Sequence, residues 1–322
     1  DNGILIDCGL FQGAENSGKG ANAAELAIEF PVDHVRALVV THVHIDHVGR
    51  IPYLLAAGFS GAIYCTPPSA KLLPLVLEDA LKIGVTRNQS LIRRVMARLQ
   101  QMIRPVPFGE WQPVAVEGET PLAIRFGRAG HILGSAWVDC RCGDGETTRH
   151  AIFSGDLGNR ETPLLREPDQ PDACDVLVME STYGDRNHEH REERQQALEN
   201  ILRHALKDRG TVLIPAFSIG RTQELLYTLH ELYDEADVPR MPIYVDSPLA
   251  TKITRVFGEH PEVYDEETHD TFLEKGKNPF SMDKIDFVGS VEESIALNHE
   301  TKPHIVLSAS GMCEAGRILH HL

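Results

Sequence analysis

No apolar run in this sequence approaches the roughly 20 residues that a membrane-spanning helix needs, and no charged-then-apolar leader with a small-residue cleavage site opens it. Membrane insertion and secretion are therefore not expected, and the cytoplasm is the expected compartment. Cysteine is sparse and scattered: Cys8, Cys65, Cys140, Cys142, Cys174 and Cys313 contain no CxxC pair, which removes zinc ribbons and dithiol redox motifs. Reduced thiols follow, because disulfides rarely persist in that compartment. Basic charge is short as well, with 31 Lys plus Arg against 47 Asp plus Glu and a formal net charge of −16. That argues against a broad basic surface of the usual nucleic-acid-binding kind. Internal repeats and low-complexity tracts are lacking. An initiator is lacking too: residue 1 is Asp, residues 3–7 have the texture of a mid-strand, and 317–322 stop within an apolar-periodic stretch. Both ends are expected to be cut from a longer chain.

What is there is enough for a sizeable core. The chain has 322 residues, 42% hydrophobic and 24% charged, a length that suggests two domains. Short β-branched runs bounded by polar residues or Gly predict strands at 4–7, 35–41, 62–65, 122–126, 151–154 and 175–179. Apolar residues three and four apart predict helices over 69–84 and 90–103. A charged stretch, 189–209, reads as an exposed helix stopped by Gly210, and beyond it strand and helix alternate regularly. Strands at 211–217, 242–246 and 304–308 precede helices at 220–235, 249–257 and 314–322, a rhythm of parallel β-α units. The segment 259–286, rich in Glu, Asp, Lys, Pro and Gly, reads as a polar surface excursion. The domain boundary is expected near 185–190.

The strongest chemical signal is Thr41-His42-Val43-His44-Ile45-Asp46-His47, set between an apolar strand and a helix-like stretch. Three imidazoles and a carboxylate at a strand-to-helix turn can converge on one point, and nitrogen with carboxylate oxygen suits zinc in a hydrolytic site. Solvated turns favour Gly, Asn, Asp, Ser and Pro, not three histidines. His42 and His44, alternating at a strand end, put their rings on one side. Asp46 and His47 sit around the turn and can reach a second ion. Downstream, His131 lies in Ala129-Gly130-His131-Ile132-Leu133-Gly134-Ser135, where small neighbours let backbone crowd a metal, and Asp156 ends another strand candidate. By itself His131 would read as structural and Asp156 as a turn residue.

His42-x-His44-x-Asp46-His47 resembles the signature of the metallo-β-lactamase superfamily. The resemblance implies an α/β fold, the αββα sandwich, with a first zinc held by His42, His44, His131 and Asp156 and a second by Asp46, His47 and the bridging Asp156. Manganese is an alternative ion. Leu5-Ile6-Asp7-Cys8-Gly9 resembles the family's first motif, so Asp7 would hold the histidine loop by hydrogen bonds. Val178-Met179-Glu180-Ser181-Thr182-Tyr183-Gly184 resembles the β-CASP nucleases, a group that includes RNase J and the mRNA cleavage-and-polyadenylation endonuclease. In that group a β-CASP α/β domain is inserted after this point. The expected division is therefore a metallo-β-lactamase domain over 1–187, lacking its N-terminal strand, and a β-CASP domain over 188–322, incomplete on its C-terminal side. The resemblance further implies two histidines beyond the inserted domain, one pairing with the motif acid and one capping the second zinc. Neither is in this chain, so the second site is expected to be one ligand short.

Two segments, residues 215–224 and 308–312 with Gly316-Arg317, also look like RNA-processing members of the group. Arg221 at a helix start is a candidate phosphate contact, and Ser308 and Ser310 are candidate contacts to a sugar-phosphate backbone. The function implied is a zinc-dependent RNA phosphodiesterase, endonucleolytic or 5′→3′ exonucleolytic, in which hydroxide between two ions attacks phosphorus and Asp46, Glu180 and Asp7 assist. The acidic composition does not oppose this, since two divalent ions place about four positive charges in one cleft. RNA is the expected partner, and a homodimer the expected assembly. The rivals are a small-molecule metallohydrolase of the glyoxalase II or lactamase kind, and a non-catalytic RNA-binding paralogue. The first predicts no Glu-Ser-Thr-Tyr-Gly and no long β-α insertion; the second predicts decayed ligands.

Overall fold

Alternation along the first strands sets up a two-sheet core. In the computed structural model, which describes residues 2–10, 26–114, 120–160, 162–186, 193–235, 238–273, 276 and 278–322, β1 (Gly3–Ile6) and β2 (Val35–Val39) lead to two short helices, α1 (Ile45–Val48) and α2 (Ile51–Ala56). Next come β3 (Ala62–Cys65), α3 (Pro67–Ala80), α4 (Gln89–Met102) and β4 (Ile103–Pro105). The four strands form a parallel sheet in the order β1-β2-β3-β4. A second sheet holds β5 (Trp111–Pro113), β6 (Leu122–Arg128), β7 (Ala136–Cys142), β8 (Arg149–Phe153) and β9 (Val176–Val178) in sequence order, antiparallel except for β8 with β9.

Period-two patterning decides which side chains meet. Ala37, Val39 and Tyr64 from the first sheet and Ile124, Phe126, Ala136, Val138 and Cys140 from the second belong to one buried cluster, with Ile4, Ile6 and Phe153 packed against it. The sheets therefore face each other. Leu38 and Ile63, paired across β2 and β3, point to the opposite face and are fully buried too. Their cover is helical: α2 to α4 bury Leu54, Leu72, Leu73, Leu77, Ile92 and Leu99. This is the expected layered metallo-β-lactamase arrangement.

The chain divides into two compact units, Asp1–Thr162 with Glu167–Glu180, and Pro163–Arg166 with Ser181–Leu322. The expected boundary between 187 and 188, and the first residues of the helix expected over 189–209, lie outside the described residues. In the second unit, α5 (Arg194–Asp208) ends on Arg209, which takes the left-handed turn one residue ahead of Gly210. Then follow β10 (Thr211–Pro215), α6 (Arg221–Glu235), β11 (Ile243–Asp246), α7 (Pro248–Gly258), β12 (Ile285–Phe287), α8 (Val291–Leu297) and β13 (His304–Ser308). The strands are all parallel, in the order β10-β13-β11-β12. The central strand β13 is buried on both faces, and it reads as the continuous run Ile305-Val306-Leu307.

Two expectations change. Residues 314–322 form no α-helix, only a 3-10 turn at Arg317–His320, because His321 is drawn inward to Asp246. The segment 259–286 is not simply a surface excursion: Val263, Tyr264, Phe272 and Phe280 are buried among its polar neighbours, and Arg166 and Asp265 tie its start to 163–166 through backbone bonds. Among the described residues no helix is long and apolar enough to cross a membrane.

Candidate metal centre

The centre is built at the carboxyl ends of β2, β6 and β8. Beyond Val39 the chain leaves the sheet, and His44 caps the single turn α1, which carries Asp46 and His47. His131 sits in the loop after β6, where Ser135 Oγ accepts the amides of His131 (2.9 Å) and Ile132 (3.1 Å). Thr66 and Ser69 at the start of α3 clamp the same loop by donating to the Gly134 carbonyl. Asp156 follows β8, and Gly158 lets its loop cross the His131 loop: a Cβ there would stand 1.9 Å from the Gly130 oxygen. The Gly158 amide also donates to the Ala129 carbonyl. Two ligand loops distant in sequence are thus joined backbone to backbone.

The side chains converge in two overlapping groups, His42, His44, His131 and Asp156, and Asp46, His47 and Asp156. In the first, His44 Nδ1 lies 3.2 Å from His42 Nε2 and 3.1 Å from His131 Nε2. Asp156 Oδ2 is 3.7 Å from His42 Nε2 and 3.6 Å from His131 Nε2. Protons cannot satisfy this set, since one ring nitrogen cannot serve two neighbours that both point lone pairs at it. A cation can. Ligands at about 2.0–2.1 Å from a tetrahedral zinc stand about 3.3–3.4 Å from one another, close to the edges found here. In the second group His47 Nε2 is 3.1 Å from Asp156 Oδ1 and 3.7 Å from Asp46 Oδ2.

Asp7 orients this second group. It ends β1 in the left-handed region (φ 58°), and its carboxylate accepts the Thr41 amide (2.8 Å), the Thr41 hydroxyl (2.7 Å) and His47 Nδ1 (2.7 Å). Thr41 Oγ1 in turn lies 3.1 Å from His42 Nδ1. The His42 and His47 rings are thereby held at the nitrogen away from the centre, as metal-binding histidines usually are. Glu180 reaches the Asp156 loop: its Oε1 accepts the Leu157 amide at 2.5 Å, and its own amide donates to Ser154 Oγ.

Electrostatics agree with cation binding. Burial, and then the neighbouring His47, His44 and His131, hold His42 well below the usual imidazole range, so its lone pair is available. Burial of His47 opposes its charge, but hydrogen bonds to Asp156 and Asp7 outweigh it and raise the pKa to about 10. The His47 hydrogen bond in turn lowers the Asp156 carboxyl.

The structure therefore gathers His42, His44, Asp46, His47, His131 and Asp156, with Asp7 and Glu180 beside them. The expected substrate residues lie in the second unit. Arg221 opens α6 with an exposed guanidinium paired to Glu224 at 2.8 Å. Ser310 is half-buried. Ser308 corrects the expectation: it is buried, with its hydroxyl donated to the Asp246 carbonyl, and so its side chain is closed to a substrate. Sequence reasoning missed Thr41, Thr66, Ser69 and Ser135. Only Thr41 carried a signal, its place beside the first histidine.

The chain belongs to the metallo-β-lactamase superfamily, which matches residues 1–216. Residues 222–322 match the β-Casp domain, which places it in the β-CASP branch. It is 39% identical over 321 residues to Ribonuclease TTHA0252 of Thermus thermophilus, covering 99% of this chain and 70% of that protein. It is 28% identical over 324 residues to transcription termination factor FttA of Methanosarcina mazei, covering 99% of this chain and 49% of the relative. With FttA of Methanocaldococcus jannaschii the identity is 31% over 329 residues, 100% of this chain and 50% of the relative. The chain thus spans about half the length of these archaeal relatives. Membership implies a metal-dependent hydrolase that binds divalent cations, and the two convergent groups fit that chemistry.

Proposed function

We propose that the chain carries the catalytic centre of an RNA phosphodiesterase that works with two zinc ions. The convergence of six nitrogen and carboxylate ligands from three separate loops carries this reading. His42, His44, His131 and Asp156 would hold one ion. Asp46, His47 and Asp156 would hold the other, leaving a position open for substrate or a further ligand. Bound there, such a pair supplies an activated water and positive charge for the phosphoryl oxygens. Asp7 keeps the His47 ring turned toward Asp156. Glu180, held against the Asp156 loop through the Leu157 amide, is placed to hold or pass the proton that the leaving oxygen needs. We place the domain boundary at 187/188.

RNA is favoured over a small ester or lactam by the β-Casp match and by the relative named a ribonuclease. The test combines metal content with cleavage. Purified protein is expected to contain zinc well above background, and a labelled structured RNA to be cut in its presence but not after chelation. Cleavage that survives complete removal of metal, or protein that takes up no zinc or manganese, defeats the reading. Product ladders then separate internal cutting from end trimming.

A further inference from the structure

Two loops in the second unit supply no ligand to the metal groups. They follow β10 and β13, which are paired strands (Pro215 with Ser308), so both loops lie at the carboxyl edge of a parallel sheet, where α/β folds place ligands. Each displays a large apolar side chain to solvent: Phe217 is 49% exposed and Met312 60%. Exposing such side chains forgoes roughly 1.5–3 kcal/mol of burial apiece, so their display needs support.

The support is visible. The Phe217 carbonyl accepts the Thr222 hydroxyl at 2.7 Å and the Thr222 amide at 3.3 Å. Gln223, fully buried, accepts the Gly220 amide and donates to the Ser218 carbonyl and to Thr254 Oγ1. The loop after β13 is closed by Ser310 N to Ala315 O and Ile318 N to Ala309 O, each 3.0 Å. The two loops touch at Gly311, where a Cβ would stand 3.0 Å from Phe217 Cδ2 and 3.1 Å from Cε2. The ring therefore rests against bare backbone and turns its remaining surface outward. On the same loop, Arg221 is 58% exposed and forms an i,i+3 pair with Glu224, an interaction of small energy that another anion can replace.

From this we infer that Phe217, flanked by Met312 and Arg221, forms a base-stacking subsite for single-stranded RNA, its ligand class resting on the RNA reading above. An aromatic face with a guanidinium near it matches what a nucleotide offers, a flat base and a phosphate. The overall charge of −16 gives no general attraction for a polyanion, so stacking carries the affinity here.

The test is equilibrium binding of fluorescein-labelled oligouridylate to the 322-residue chain in EDTA, where nothing is cut, read by anisotropy. F217A is expected to weaken binding roughly tenfold to a hundredfold while F217W keeps it. An abasic oligomer of equal length is expected to bind wild type and F217A alike. R221A is expected to flatten the dependence of log K on log salt by about 0.7, one single-strand phosphate contact. Wild-type affinity in F217A, an equal loss toward the abasic oligomer, or no RNA binding at all overturns the proposal. With metal restored, RNA hydrolysis whose KM is unmoved by F217A overturns the subsite and leaves the catalytic reading. The stacking signature without hydrolysis overturns the catalytic reading and supports the subsite.

Discussion

Asp246 and Asp156 are both aspartates at the carboxyl ends of strands, and their surroundings are opposite in kind. Around the fully buried Asp246 carboxylate stand donors: Ser294 Oγ at 2.5 Å, Arg317 Nη1 at 2.5 Å and His321 Nε2 at 2.7 Å. His321 is itself fixed at Nδ1 by Asn298. Around Asp156, imidazole nitrogens crowd within 3.1–3.7 Å of the carboxylate and within 3.1–3.2 Å of one another. The first cluster is complete as protein alone, and it anchors the chain end to the sheet. The second has more lone pairs than protons, which marks it as a place for a cation. Burial and residue type alone would not have told them apart; donor count does.

The strongest way to break this contrast is to remove each carboxylate in turn. Asp156→Ala is expected to cut RNA hydrolysis by at least about a thousandfold, the several kcal/mol a metal clamp supplies, with the urea unfolding midpoint of the metal-free chain little changed. Asp246→Ala is expected to do the reverse. It leaves the half-buried Arg317 without its counter-ion and should lower stability by about 3–5 kcal/mol. A D156A protein with undiminished turnover would place both clusters in the same structural category.

Asp7 sharpens the contrast at intermediate cost. Asp7→Asn retains an acceptor for Thr41 but loses the charge behind His47, and is expected to weaken zinc affinity by roughly 10–100-fold in competition titration, leaving the fold intact. An unchanged affinity would reduce Asp7 to a strand terminus.

The smallest effect is in pH. Without metal, His47 is raised to about 10 from 6.5, so its contribution to stability is complete below 6.5 and fades as pH climbs through 10. Asp156, lowered from 3.8, contributes above that value and loses its contribution as pH falls further. An imidazolium has no lone pair, so zinc binding near neutral pH, well below the pKa of about 10, is expected to expel the His47 proton. Calorimetry in buffers of different ionisation enthalpy measures that release, and equal heats in all buffers would contradict it.

Much of the centre is legible in the sequence because its residues suit little else, and three histidines in one turn have no solvation rationale. The supporting hydroxyls of Thr66, Ser69 and Ser135 are not legible, since Ser and Thr near helix starts and turns are commonplace. Strand β7 is hidden because Asp139 and Arg141 break its apolar run, yet Asp139 is buried and paired with Arg125. At the chain end, the spacing of Ile318, Leu319 and Leu322 points to a helix and cannot reveal that a distant carboxylate captures His321. Residues 259–286 show the same limit from the other side. Their composition is polar, but Tyr264, Phe272 and Phe280 are spaced to be swallowed one at a time by the core.

Asp156 belongs to both donor groups, one oxygen facing each. Two ions sharing a single counter-charge cannot load as strangers: the first to arrive fixes the carboxylate's orientation for the second and spends part of its negative field. Occupancy of the two positions is therefore one coupled equilibrium, and a metal titration of this protein should be fitted as such rather than with two separate constants.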